Sequence, residues 1–247
     1  MGHVSYIELT PQMFRERLAA APIAYLPLGT LEWHGEHLPL GSDGMQSQGF
    51  FEMLAGEVGG IVLPMLYLGP DRMERVDDQD LYGMDLCKNG NPDQSYPTQK
   101  LDGSAYWVEN DLYIQILDAT MTQLARAGFR IVVGHGHGPS THTFQAQIER
   151  WKEEYGLSCL ICWGDLKDGT DYGIQTDHAA MNETSLMMAL YPDLVHMENL
   201  PESLDQWPVA IAGKDPRVYA SREVGQMALD LQSKRIAVIL RELLEQL

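Results

Sequence analysis

The spacing of apolar positions changes several times along the chain, and each change predicts an element. TPQMFRERLAA, residues 10–20, predicts a helix with Thr10 as its cap and Pro11 in its first turn. The continuous apolar run IAYLPLG at 23–29 predicts a buried strand, residues 44–59 a helix, and GIVLPML at 60–66 a second strand. Periodicity lapses over 70–105, a stretch rich in Asp, Gly, Pro and Asn that reads as a long irregular segment. Segments of that length inside a compact domain are usually functional or mobile. Helical spacing returns over 108–129, followed by a short strand at 130–134 and the polar run HGHGPSTH. A helix through 144–156 leads to the apolar strand LSCLICWG at 157–164. Residues 177–192 turn helical in their second half, and a last helix opens at Ser221 and runs to about Leu244. Short strands separated by helices predict βαβ units. The expected fold is therefore α/β, one domain over 1–247, with a mainly parallel β-sheet flanked by helices.

Composition narrows the function without naming it. With 247 residues and 45% hydrophobic positions, the chain can bury one large core. No apolar run reaches the roughly 18–20 residues of a membrane-spanning helix. The opening MGHVSYIELTPQMF lacks a basic region followed by an apolar core, so the expected location is cytoplasmic. A formal charge of −18 would repel a phosphate backbone, which disfavours nucleic acid as a partner. Cys159 and Cys162 form a C-x-x-C inside an apolar strand, where residues three apart point to opposite faces, so burial is expected rather than redox or zinc chemistry.

The chemistry-bearing side chains collect where two strands end. Glu32 and His34 follow the strand at 23–29, while His135 and His137 follow the one at 130–134. In an open parallel sheet ligands sit beyond the carboxyl ends of the strands, so both groups belong on one edge. Glu32 and His34 are two apart and in extended chain project to the same side. Asp43 lies a short loop later, and a carboxylate is the usual bridge between two metals about 3.5–4 Å apart.

These residues carry a resemblance to the creatininase (creatinine amidohydrolase) family of metal-dependent hydrolases. EWHGEHLPLGSD at 32–43 resembles its first signature, HGHGPS at 135–140 its second, and HAAMNETS at 178–185 its third. PRVYASREVG at 216–225 is similar to the start of its last helix, so the likeness covers nearly the whole chain. The resemblance implies a creatininase-like fold and two divalent metal ions per chain, zinc and/or manganese. It makes Glu32, His34, Asp43, His137 and Glu183 the ligands, with Asp43 shared, and His178 the acid/base histidine. It further implies a small-molecule substrate whose amide or imide C–N bond is cleaved by metal-activated water, and a cyclic homo-oligomer, commonly a hexamer. His178 and Glu183 are five apart, about 140° on a helix, so His178 is expected in a loop with the helix starting near Asn182.

Departures from the family pattern shape the rest. Where creatininases carry a proton-handling glutamate two positions after the second-signature histidine, this chain has Pro139, which leaves Glu36 as a candidate catalytic substitute. His37 is expected to orient a ligand. The segment 70–105 is longer than the family's and is expected to line the pocket. Its Asp71, Arg72, Arg75, Tyr82 and Tyr96, together with Trp33, are candidate substrate contacts. Arg72 and Arg75, scarce cations in an acidic chain, suggest an anionic group on a substrate other than creatinine. Two further readings stay open: another metal-dependent activity, such as deformylation, peptide trimming or isomerisation, and a metal-stabilised binding protein without catalysis.

Overall fold

The computed structural model describes residues 3–87, 92–163 and 172–247. Its elements run α1 (Pro11–Ala20), β1 (Ile23–Leu28), α2 (Ser42–Glu57), β2 (Ile61–Val62), β3 (Met73–Val76), β4 (Gln79–Tyr82), α3 (Asn110–Ala127), β5 (Ile131–Gly136), α4 (Gly138–Tyr155), β6 (Ser158–Leu160), α5 (Met181–Leu190), α6 (Pro216–Tyr219) and α7 (Arg222–Glu245). Four strands form one parallel sheet in the order β2-β1-β5-β6. Helices cover both of its faces, and the strand sequences show why. Ile23 and Tyr25 of β1 and Ile131 and Val133 of β5 pack on Phe50, Phe51 and Leu54 of α2 and on Ile236 and Leu240 of α7. The alternate residues Ala24, Leu26, Leu28 and Val132 pack on Tyr113 and Leu117 of α3 and on Phe144 and Trp151 of α4. This two-faced burial explains the continuous apolar runs.

Thr10 caps α1 by accepting from the Met13 backbone N–H, and Ser221 caps α7 in the same way through Val224. The second strand is shorter than the apolar run 60–66 suggests. Pro64 has no N–H for the ladder, and after Val62 only an isolated bridge from Leu66 to Leu28 continues it. The strand at 130–134 is longer than expected, because it carries on through His135 to Gly136, whose partner on β1 is Leu28. A Cβ at Gly136 would overlap the Leu28 carbonyl oxygen, and its φ of 150° is one that L side chains rarely adopt. Glycine here is what lets the two strand ends lie together.

The polar run HGHGPSTH divides between the end of β5 and the start of a helix, earlier than position 144: α4 begins at Gly138, with Pro139 in its first turn, a position that needs no N–H. The segment 70–105 holds an antiparallel hairpin that helical or strand periodicity did not reveal, with β3 paired to β4 around Asp77-Asp78. Both turn residues have positive φ, 45° and 62°, in a turn usually signalled by Asn-Gly or Asp-Gly. Positions 88–91, in the same segment, lie outside the described residues, as do Met1 and Gly2 of the N-terminus and Gly164 of the apolar run 157–164. The Cys159 and Cys162 thiols are free, and burial pushes both up to about 12, which leaves them unreactive. Among the described residues no helix is long and apolar enough to cross a membrane.

Candidate metal centre

Parallel pairing of β1 and β5 brings their carboxyl ends side by side, and the acidic and histidine side chains that follow them meet there. Asp43 comes from the first turn of α2, His137 from the residue before α4, and Glu183 from the first turn of α5. His178 lies before α5 in an antiparallel bridge to Ala212, so it is in a loop, and the helix starts at Met181, one residue before the expected position. Asp177 supports that start by accepting from the Asn182 and Glu183 backbone N–H groups at 2.7 and 3.1 Å. Glu183 in turn accepts from the Ala179 N–H at 2.7 Å, which turns its carboxylate back toward the sheet.

Asp43 occupies the middle. One carboxylate oxygen, Oδ1, is 3.3 Å from His34 Nε2, and the other, Oδ2, is 3.2 Å from His137 Nδ1. Glu183 Oε2 stands 3.6 Å from His34 Nε2, and Glu32 Oε1 stands 3.0 Å from His137 Nδ1. The result is two adjoining groups, one of His34, Asp43 and Glu183 and one built on Glu32 and His137, with Asp43 reaching both. All five are buried.

The donor set suits a divalent cation. His34 Nδ1 donates to the Glu32 carbonyl at 3.2 Å, which leaves Nε2 aimed between two carboxylates. That buried Nε2 has no hydrogen-bond partner, because its approach to Asp43 is close but poorly aligned. His137 Nε2 donates to the Pro70 carbonyl at 3.2 Å and directs Nδ1 in the same manner at Glu32 and Asp43. His137 Nδ1 lies within hydrogen-bond distance of Asp43 Oδ2, and either imidazole nitrogen facing these carboxylates is unfavourable as a bare lone pair, so a proton or a cation belongs between them. Burial alone would push the His34 pKa down, yet Asp43, Glu183 and Glu32 raise it to about 10. Burial likewise works against charge on His137, but Glu32 and Asp43 hold its pKa well above the ordinary value. Burial and the neighbouring Asp43 push the Glu183 pKa well up. The cluster therefore attracts positive charge, and imidazole with carboxylate is a donor mixture that zinc and manganese accept.

The sequence candidates divide in their placement. A cavity of about 490 Å³ opens over the centre, with His178, Arg72 and Tyr96 in its wall. His178 Nε2 donates to the Trp33 carbonyl at 2.8 Å, so Nδ1 faces inward, 4.0 Å from Glu32 Oε1. Arg72 donates through Nη2 to the Gly83 and Leu86 carbonyls, so part of its guanidinium fastens the wall. Tyr96 donates from its hydroxyl to the Met84 carbonyl at 3.0 Å. Asp71 lines it as well, and the remaining candidates stand apart from this cavity. Glu36 is exposed on the far side of the motif loop, which corrects its assignment as a catalytic substitute. Residues 35–37 form a turn, with Gly35 at a φ of 64°, which leaves Glu36 outward while His34 and His37 are buried. Arg75 is on the outer hairpin, where Asp80 takes its Nη1 at 2.8 Å, so it does not reach a substrate in the cavity. Tyr82 stacks on Trp107 beside a neighbouring cleft of about 390 Å³. Trp33 contributes its backbone carbonyl to His178, while its indole N–H bonds the Asp102 carbonyl. His37 holds no ligand position, since its Nε2 donates to Thr184 Oγ1 at 2.8 Å and ties the motif loop to α5 beside Glu183.

Two residues escaped the sequence. Gln175 donates from Nε2 to the Asp43 carbonyl at 3.0 Å and to Asp43 Oδ1 at 3.2 Å, while its own oxygen accepts from Ser47 at 2.6 Å. It holds a positive φ of 54°, a conformation few side-chain-bearing residues adopt. Nothing in the local pattern GIQTD signals this. Trp163, near the end of the apolar run 157–164, lines a cleft of about 440 Å³ next to His178 and His142. Being in an apolar run, it gave no sign of standing at the rim.

Comparison with known proteins bears on the family and the fold. A family model described as "Creatininase: Creatinine amidohydrolase" matches residues 7–76 and 95–230. A creatinine amidohydrolase of Pseudomonas putida is 26% identical over 267 residues, covering 95% of each chain. Among solved structures, a Zn–Zn form of a creatininase variant superimposes with a TM-score of 0.73 at 22% identity over 98% of each chain. A manganese form of creatininase superimposes with a TM-score of 0.73 at 23% identity, again over 98% of each chain.

Proposed function

The chain belongs to the creatininase family, and from that premise we propose that it is a metal-dependent amidohydrolase cleaving a C–N bond of a small polar metabolite other than creatinine. The observation that carries the metal dependence is the buried His34 Nε2, without a hydrogen-bond partner and aimed between Asp43 and Glu183. In this reading His34, Asp43 and Glu183 would hold one zinc or manganese ion, and Glu32 and His137, with Asp43, would hold a second. Such a pair supplies Lewis acidity, lowering the pKa of water to about 7 and stabilising charge on a carbonyl oxygen.

The chain's own groups supply the rest. The hydrogen bond from His178 Nε2 to the Trp33 carbonyl fixes the ring and its tautomer. Its bare Nδ1 is thereby presented to the cavity, where it takes a proton from the attacking water and passes it to the departing nitrogen. Gln175 holds Asp43 from behind, so the shared carboxylate keeps both oxygens on the two histidines. The wall formed by Arg72 and Tyr96 excludes water and sets which substrate fits. The family model leaves residues 77–94 of that wall segment unmatched, which supports a substrate of its own.

The test is a screen of small cyclic and linear amides and imides against zinc- and manganese-loaded protein, repeated with His178→Ala. Turnover in the wild type that collapses in the variant, with metal content unchanged, is the expected result. Full turnover without His178 would remove its role.

A further inference from the structure

The second half of the centre has a carboxylate beyond the five motif residues. Asp71 lines the same cavity as Glu32 and His137, and each of the three offers a ligand atom within 4.8 Å of the other two. Across that cavity Pro139 brings no acid or base. Resting on the metal-dependent reading above, we propose that Asp71 is a sixth ligand of the centre, joining Glu32 and His137 on the second ion.

Three features aim it. Asp71 Oδ1 accepts from the Arg72 backbone N–H at 2.6 Å, which fixes the carboxylate plane and leaves Oδ2 facing the cavity beside the His137 ring, whose Nε2, the nitrogen bonded to Pro70, is 3.7 Å away. Arg72 Nη2 donates to the Gly83 and Leu86 carbonyls at 3.3 and 2.8 Å, and the Gly83 N–H donates back to the Arg72 carbonyl at 3.1 Å, so the strands of the wall are clamped behind Asp71. Gly83, at a φ of 49°, then makes the space: a Cβ there would lie 2.5 Å from Asp71 Oδ2 and 3.1 Å from Glu32 Oε2. The buried Glu32 carboxylate and the half-buried Asp71 carboxylate, both facing the space beside Gly83, repel each other unless a proton or a cation lies between them. His137 adds a nearly inaccessible imidazole to the same group, which an acidic surface cluster would lack.

A merely structural Asp71 predicts a different outcome, and metal binding separates the two. Zinc alone is titrated into metal-free wild type, Asp71→Asn and Asp71→Ala against a competing chelator, and two dissociation constants are read for each. Far-ultraviolet circular dichroism and melting of the metal-free proteins confirm that both variants fold; the isosteric Asn keeps the test valid if Ala does not. Expected is a loss on one binding step of at least the ~10–100-fold that removing even an outer partner of a metal ligand costs, with the other step within about threefold. Wild-type affinity at both steps in a folded variant overturns the assignment. A wild type that binds no zinc instead overturns the proposed function, so the two failures are distinct.

Discussion

The floor of the cavity and its wall are built on different principles. Glu32, His34 and His137 leave the ends of β1 and β5, whose side chains are buried on both faces, and Asp43 and Glu183 leave the first turns of α2 and α5. The wall is a hairpin with a two-Asp turn, a left-handed glycine and an arginine clamped to carbonyls. The candidate metal ligands stand at the sheet edge and on helix starts, while the cavity wall stands on the segment least supported by the sheet. The same substitution should therefore act differently in each.

Gly136→Ala should have the largest effect. Its Cβ would overlap the Leu28 carbonyl, so the β1–β5 register must break, with an expected cost above about 4 kcal/mol and loss of the cooperative melt. A variant that melts within 2 °C of wild type would show the floor to be soft. Gln175→Ala comes next, and it should weaken zinc binding by ~10–100-fold, since Asp43 loses the amide that orients it. Unchanged zinc affinity in competition with a chelator would leave Gln175 only a structural part. Gly83→Ala should cost about 1–2 kcal/mol through its positive φ, much less than Gly136→Ala, yet disturb metal binding more than that stability loss suggests. A change in melting with no change in zinc affinity would separate the wall from the centre. Arg75→Ala should matter least. Its exposed pair with Asp80 is worth about 0.2–1 kcal/mol, and KM for any identified substrate should stay put. A several-fold rise in KM would return Arg75 to the substrate.

What the sequence showed follows the same division. Strands buried on both faces read as continuous apolar runs, and the spacing of Glu32, His34 and Asp43 after one of them was visible as candidate metal chemistry before any coordinates. The start of α4 was placed at 144 because apolar spacing begins there, whereas Gly138 and Pro139, which suit a helix start, carry no such spacing. The hairpin at Met73–Tyr82 was hidden because its turn uses Asp-Asp at positive φ instead of glycine. Glu36 and Arg75 were attractive by charge alone, and charge does not tell which way a side chain faces. Gln175 left no trace, since its role depends on a backbone conformation and on a partner 132 positions away.

The most direct test of the account is elemental analysis of the purified, tag-free protein beside Asp43→Ala. Asp43 faces both histidines, so the account predicts about two equivalents of zinc or manganese per chain in the wild type and loss of both in the variant. A wild type near zero after growth with added metal, or a variant that keeps two, would contradict it.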